Sequence, residues 1–438
     1  MNMLKVGLAT LGCKVNQCDS AALAESLKSA GFSITPFNAF ADVYIINTCT
    51  VTAFADFQAR QLIRRALRQN PAARVVVTGC YAQTEPRTLA GIEGVSHVVG
   101  NDHKHDIPEL LFRPVSGTPQ ILAGDILKQR CFPSAPACGL AGRTRAFFKI
   151  QDGCSAFCSY CIVPFARGPS RSLPLGQVLD GARNFIARGF REIVLTGIHL
   201  GDYGHDLQPR TSLVRALNAL LSNHPETRLR LSSIEPNEIS NELLGLFKRF
   251  PNLCPHLHIP LQSGDDGILK SMKRRYDKAF YRALIENVIR TAEDIAVGID
   301  VMVGFPGEGE KEFCSTMELL EKIPAAYLHV FPYSERPGTA AAKLSPKVPA
   351  TVKKARAAAL RELGANKREA FARRFPGKVL PVLVEQTRDK TTGLARGFSH
   401  NYLPVLLDKS TASLVNKIVN VRIDQIRDGK LIGRVLDE

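Results

Sequence analysis

The sequence has no apolar run long enough to span a bilayer. Its opening stretch, residues 6–11, offers six residues where a membrane helix needs about twenty, and no small-residue cleavage pattern of a signal peptide follows it. Both absences point to a soluble, cytoplasmic protein with no membrane partner. Acidic residues are scarce: 41 Asp and Glu against 57 Lys and Arg leave a formal charge of +16. That balance disfavours an acidic small molecule as partner and favours a polyanion such as nucleic acid. Eleven cysteines in 438 residues are too sparse for a secreted disulfide scaffold, and in a reducing compartment clustered cysteines bind metal or do chemistry.

Two sets of cysteines stand out. Cys154, Cys158 and Cys161 form C-x3-C-x2-C. That spacing supplies three thiolates to a four-iron cubane and leaves the fourth iron free to chelate a small molecule and pass it an electron. Cys13, Cys49 and Cys80 each follow a predicted strand, two of them directly behind glycine. Any one of them alone reads as a small buried hydrophobe. Three placed alike at strand ends argue for a second iron–sulfur site. Cys131, Cys138, Cys254 and Cys314 match no ligand motif, and neither does Cys18. Zinc is the competing reading of the triplet. Structural zinc takes four ligands in two short pairs; no second pair lies near Cys161, although His199 or His258 could complete a site.

The predicted architecture is α/β. Residues 5–11, 43–46 and 74–78 are compact β-branched runs, while 19–30 and 54–70 carry apolar positions at helical spacing, as in an open, mostly parallel sheet over residues 1–112. Ligands of such sheets collect outside the carboxyl ends of the strands, which is where Cys13, Cys49 and Cys80 fall. Residues 113–143, rich in Pro, Gly and Ser, read as a linker. Residues 144–374 alternate strand-like runs (146–151, 192–196, 228–232, 256–261, 298–303 and 326–331) with helical stretches, predicting a partial (β/α)6 barrel. Its carboxyl rim carries the cysteine triplet and the candidate ligand-binding residues Thr196, Gly197, Ser233, Glu235, Gln262 and Gly304. Gly197 and Gly304 would admit close backbone approach, and Glu235 or Gln262 would hold polar groups. Residues 375–438 show five short strands, enough for a small OB-like all-β barrel.

Taken together, Gly12-Cys13-Lys14-Val15-Asn16-Gln17, Asn47-Thr48-Cys49-Thr50-Val51-Thr52, Thr78-Gly79-Cys80 and the run from Ile150 through Cys154, Cys158 and Cys161 to Gly168 resemble the methylthiotransferase family of radical S-adenosylmethionine enzymes. The resemblance covers essentially the whole chain. It implies an N-terminal domain with an auxiliary [4Fe-4S] cluster on Cys13, Cys49 and Cys80, and a radical barrel with a [4Fe-4S] cluster on Cys154, Cys158 and Cys161. A C-terminal TRAM domain would complete the chain. It further implies that S-adenosylmethionine is cleaved to a 5′-deoxyadenosyl radical at the barrel cluster, that the auxiliary cluster carries the sulfur, and that a second S-adenosylmethionine gives the methyl group. The sulfur donor stays open, and the electron donor would be of flavodoxin or ferredoxin type. Around the cysteines the strings are closest to the branch acting on threonylcarbamoyladenosine-37, in the anticodon loop of tRNA. The isopentenyladenosine branch and the branch modifying a ribosomal-protein aspartate read differently there. Cys18 stands where related sequences often have an aromatic residue, leaving a redundant thiol near the auxiliary site as an open reading.

Two features of the C-terminal third bear on RNA. Between Lys343 and Arg374, ten Lys or Arg face two Glu, a local charge of +8 that reads either as a solvated helix face or as a phosphate contact. Phe398 and Tyr402 flank Ser399-His400-Asn401 and would either stack on an unpaired base or fill the barrel core. The distant alternative is an RNA-binding protein whose clusters are structural or redox-sensing. An open iron is what separates the enzyme from it.

Overall fold

The computed structural model describes residues 3–114, 117–133, 144–292, 294–408 and 412–436. The N-terminal part is a six-stranded parallel sheet in the order Ser33–Thr35, Lys5–Thr10, Val43–Thr48, Arg74–Gly79, Val95–Val99, Gln120–Leu122. Val43–Thr48 is buried along its whole length, because helices cover both faces. Leu23 and Leu27 of Lys14–Ser29 pack with Val43 and Ile45, and Ile63 and Ala66 of Ala53–Gln69 with Tyr44 and Ile46. Thr52 starts the second helix by accepting a hydrogen bond from the Ala55 N–H. The edge strand Gln120–Leu122 lies inside the stretch read as linker; three residues leave no periodicity to detect. Cys138 lies outside the described residues.

Six parallel strands in chain order form the second layer. Arg145–Lys149, Glu192–Thr196 and Arg228–Leu231 make one run, and His256–His258, Ala296–Val303 and Tyr327–Pro332 another. Bridges from Leu229 to Leu253 and from Ser233 to His258 join the two runs. The first and last strands do not pair, so the barrel is partial. Alternate residues such as Ile193, Leu195, Leu229, Leu257 and Ile299 form one core with the outer helices. Their neighbours Arg145, Glu192, Arg230, His256, His258 and Asp300 therefore face inward and make the lumen polar. Helix Lys14–Ser29 lies along the edge strand of this barrel, where the Cys18 thiol donates to the Phe147 carbonyl at 3.4 Å. Cys18 is thus turned toward the barrel edge, with Cys13 still among its neighbours. Among the described residues, no helix is long and apolar enough to cross a membrane.

The last five strands close a barrel in the order Val379–Arg388, Ala395–Ser399, Pro404–Leu407, Lys430–Val435, Ile418–Arg427, with one parallel pair between Pro404–Leu407 and Lys430–Val435. In sequence order that is 1-2-3-5-4, the closure of an OB-like barrel. The structure bears on two expectations for this region. Most of the basic segment is engaged within the fold. Helix Ala350–Ala372 packs on the barrel, Arg356 binds Glu308 and Glu310, and Lys367 donates to the Glu321 and Ile323 carbonyls. Lys347 pairs with Glu335, Arg373 with Glu369 and Arg374 with Asp294. Phe398 and Tyr402 neither fill the terminal core nor face open solvent. They stack on each other at 5.0 Å and on the lumen cations, Arg145 over Phe398 at 4.5 Å and Arg230 over Tyr402 at 4.8 Å. Cation–π contact with the central barrel holds them in place.

Candidate active site

The loop carrying Cys154, Cys158 and Cys161 leaves the first barrel strand at its carboxyl end, as the strand order predicts. The wholly buried Gln151 shapes it: its amide donates to the Gly153 carbonyl at 2.8 Å and its oxygen accepts from the His199 N–H at 2.7 Å. Each of two thiols has a charged neighbour. Arg274 donates to Cys158 Sγ at 3.3 Å, while its other guanidinium nitrogen pairs with Glu235. His199 Nδ1 lies 3.6 Å from Cys154 Sγ and its Nε2 2.6 Å from Glu238. Burial would lower the His199 pKa, but the hydrogen bonds to Cys154 and Glu238 prevail and lift it to about 11. Burial pushes the Cys161 thiol up to about 12. A thiol so placed becomes a thiolate only when a cationic centre takes it up.

The structure sorts the rim residues. Thr196 is buried and its hydroxyl has no hydrogen-bond partner; the same holds for the Gln262 side-chain oxygen, on a residue held at φ +70°. A strained, buried residue with an unsatisfied oxygen marks a place where a ligand completes the bonding. Ser233 Oγ lies 2.6 Å from His258 Nδ1. Glu235 is raised by burial and partly restored by Arg274. The two glycines are needed by the protein itself. A Cβ on Gly197 would meet Gln151 at 2.8 Å, and one on Gly304 would meet the Lys353 side chain at 2.1 Å.

The auxiliary cysteines sit side by side at the carboxyl edge of the first sheet, since their strands are neighbours in it. Two glycines make this possible. Gly12 at φ +91° leaves room for Cys49, whose Sγ would lie 2.8 Å from a Cβ there; Gly79 at φ +97° would press a Cβ onto the Thr48 carbonyl at 2.4 Å. Asn16 ties the loops together, donating to the Leu11 and Thr48 carbonyls at 2.7 and 2.9 Å. Burial, then the Cys80 and Cys13 thiols, push Cys49 up to about 12. Among the described residues, neither cysteine set brings three ligand atoms within 4.8 Å of one another.

A buried ion network joins the two sites. Arg167, six residues past Cys161, binds Asp152 at 2.8 Å, Asp19 at 2.9 Å and the Asn16 side chain. Lys149 bridges the same two carboxylates at 2.5 and 3.0 Å, and Lys104 adds a third cation to Asp19. Asn16 stands three residues past Cys13 and Asp152 two before Cys154, so both cysteine loops are braced on one set of charges. Sequence alone marks these supports weakly. Asn16 and Asp152 stand out only as members of the strings around the cysteines, and Arg274 lies in a Lys-Arg-Arg run that reads as surface charge. No signal pairs Arg167 with Asp19 across 148 positions. Cys131 and Cys314 are exposed and Cys254 is buried away from both sites.

A three-cysteine loop on the carboxyl rim of a six-stranded partial barrel defines a radical S-adenosylmethionine enzyme. Residues 148–320 match the radical SAM superfamily, and residues 5–100 match the uncharacterized protein family UPF0004. The chain belongs to the methylthiotransferase family of these enzymes. It is 38% identical to the threonylcarbamoyladenosine tRNA methylthiotransferase MtaB of Bacillus subtilis, over all of this chain and 98% of that one. It is 37% identical to MtaB of Aquifex aeolicus over 96% and 100%. The tRNA-2-methylthio-N(6)-dimethylallyladenosine synthase of Acetivibrio thermocellus is 34% identical over 98% and 90%. Among solved structures, the radical S-adenosylmethionine methyltransferase TsrM of Kitasatospora setae shares the fold at TM-score 0.54 and 16% identity, over 76% of this chain and 72% of that one.

Proposed function

We propose that this protein converts N6-threonylcarbamoyladenosine at position 37 of tRNA to its 2-methylthio derivative in the cytoplasm. In this reading residues 1–112 form the auxiliary domain, 113–143 a connector, 144–374 the radical core and 375–438 the terminal barrel. The observation that carries it is the bracing of two three-cysteine loops on one buried ion network above a polar lumen. One loop alone would serve many radical reactions; two braced on the same charges suit sulfur insertion.

Cys154, Cys158 and Cys161 would hold one [4Fe-4S] cluster and Cys13, Cys49 and Cys80 the other. When bound, the first supplies an open iron for S-adenosylmethionine and the electron that cleaves it, and the second supplies sulfur. The chain's own residues do the rest. Arg274 steadies Cys158 and fixes Glu235 at the rim, and the free oxygens of Thr196 and Gln262 offer contacts to S-adenosylmethionine beside Ser233, Gly197 and Gly304. Arg167 and Lys149 keep the two cysteine loops in register. A flavodoxin or ferredoxin would deliver electrons.

The test offers anaerobically reconstituted enzyme two tRNAs in parallel, one bearing threonylcarbamoyl and one isopentenyl on adenosine 37, with nucleoside mass spectrometry as readout. Methylthiolation of the threonylcarbamoyl form is expected, with about eight irons per chain, halved when Cys154, Cys158 and Cys161 are replaced by Ala. Product from the isopentenyl form alone, or from a ribosomal protein, overturns the substrate; four irons in the parent chain overturn the second cluster.

A further inference from the structure

Outside the cysteine loops, one group of side chains has the makings of a metal site. Among the described residues, only His258, Asp300 and His329 bring three His, Cys, Asp or Glu ligand atoms within 4.8 Å of one another. They come from the neighbouring strands His256–His258, Ala296–Val303 and Tyr327–Pro332. Asp300 is the register partner of His329, and His258 that of Gly298, two residues before Asp300, so all three side chains share the lumen face. Gly298 makes room between them. A Cβ there would meet the Tyr327 ring at 2.1 Å; without it that ring stacks along His258 at 6.0 Å and packs against His329 at 5.1 Å. The Asp300 carbonyl accepts from the Gln262 N–H at 2.9 Å, which ties the cluster to the rim.

The three side chains are placed poorly for hydrogen bonds and well for coordination. His258 Nε2 lies 3.1 Å from Asp300 Oδ1, yet it is buried and makes no hydrogen bond. His329 Nδ1 approaches the same oxygen at 3.4 Å, beyond the usual span of about 2.7–3.2 Å for an N–H···O bond. Around a cation held by bonds of about 2.1 Å, neighbouring ligand atoms stand about 3.0 Å apart at right angles and about 3.4 Å apart in a tetrahedron. Both separations fall in that range. On the other side of its ring, His258 Nδ1 is 2.6 Å from Ser233 Oγ. With Nδ1 donating to Ser233, Nε2 carries its lone pair into the cluster, which is how a second hydrogen bond orients an imidazole ligand. The His329 side chain is 56% exposed, so an ion has a way in and the ring can turn onto it.

We propose that His258, Asp300 and His329 bind one divalent transition-metal ion of the zinc, cobalt or ferrous kind. Two imidazoles and a carboxylate suit these ions, whereas magnesium and calcium take oxygen ligands. Three protein ligands leave coordination positions open toward the lumen, where water or an oxygen atom of an entering molecule completes the shell. The site is separate from both cysteine sets and holds whichever tRNA is the substrate.

Zinc is the probe, because it adds nothing to the iron counted at the cysteine sites. Full-length protein with its iron–sulfur sites reconstituted anaerobically is given one equivalent of zinc and desalted. Retained zinc is counted by elemental analysis and its ligands are read by X-ray absorption at the zinc edge. One zinc per chain is expected, with nitrogen and oxygen at about 2.0–2.1 Å, imidazole scattering, and no sulfur at about 2.3 Å. Asp300→Asn and His329→Ala should each weaken zinc binding by more than about a hundredfold, since losing a ligand costs more than the 10- to 100-fold of losing an outer support. His329 is half exposed, so its replacement spares the packing and that variant should keep its full iron content even where Asp300→Asn misfolds. Wild-type protein that retains no zinc overturns the proposal. Zinc held only through sulfur, or bound by His329→Ala as tightly as by the wild type, overturns it as well.

Discussion

Arg274 shows how one side chain serves the barrel cysteines. It donates to Cys158 at 3.3 Å, pairs with Glu235 and donates again to the Tyr276 hydroxyl at 3.0 Å, which itself donates to the Pro260 and Leu261 carbonyls. Removing it strips a cation from the Cys158 sulfur, a proposed cluster ligand, and leaves the Glu235 carboxylate unpaired at the rim. Arg274→Met is expected to lower 5′-deoxyadenosine formation by about 10- to 100-fold, the range seen when a metal ligand is deprived of its hydrogen-bonded support. Arg274→Lys should recover little, because an ammonium cannot reach sulfur and carboxylate together as a planar guanidinium does. Unchanged rates in Arg274→Met, with a full cluster complement, would show that the hydrogen bond to Cys158 has no functional weight. At this scale the sequence is legible in the candidate ligands and opaque in their supports. Six cysteines stand in recognisable spacing, whereas Arg274 and Gln151 gain their roles from partners that only the fold brings near.

Between elements, the network around Asp19 decides how the first sheet meets the barrel. Burial works to raise the Asp19 pKa, but Lys104, Lys149 and Arg167 outweigh it and hold the carboxyl well below its usual range. A depressed carboxylate stabilises the fold above its unfolded pKa of about 4, and that contribution is lost as pH falls further. Asp19→Asn leaves three buried cations with one carboxylate fewer. It is expected to cost about 3–5 kcal/mol, the scale of breaking a buried pair from one side. Urea unfolding of the metal-free protein checks this: the wild type should lose its advantage over Asp19→Asn as the pH is taken below about 4, and equal midpoints at pH 7 would sink the claim. The same scale explains which elements the sequence reveals. Val43–Thr48 and Arg74–Gly79 are central strands with dense β-branched runs, so they are readable. Ser33–Thr35 and Gln120–Leu122 are the two edges of the sheet and three residues each, and their pairing is set by neighbours rather than by their own pattern.

Across the whole molecule, the terminal barrel is part of the lumen wall as well as a candidate RNA surface. Its Ser399 and His400 carbonyls accept from Arg230, its Glu385 pairs with Arg145, and the Asn401 amide donates to the Asp294 carbonyl. Deleting residues 375–438 would therefore uncover the lumen and unpair Arg145, so weaker tRNA binding by the truncated chain has two causes. Point changes separate them. Arg422 and Arg427 are exposed on the strand Ile418–Arg427, away from these bonds, and removing such a charge leaves stability within about 0.5 kcal/mol. If this face meets the RNA backbone, Arg422→Glu with Arg427→Glu should weaken tRNA binding and flatten its salt dependence, by nearly one unit of log–log slope for each phosphate no longer neutralised, with an unchanged melting temperature. The truncated chain should instead melt lower, because Arg145 loses Glu385 and Arg230 loses the Ser399 and His400 carbonyls. A truncated chain with an unchanged melting temperature would show that these contacts carry no stability; a double variant with an unaltered salt slope would move the RNA surface to the other two layers of the protein.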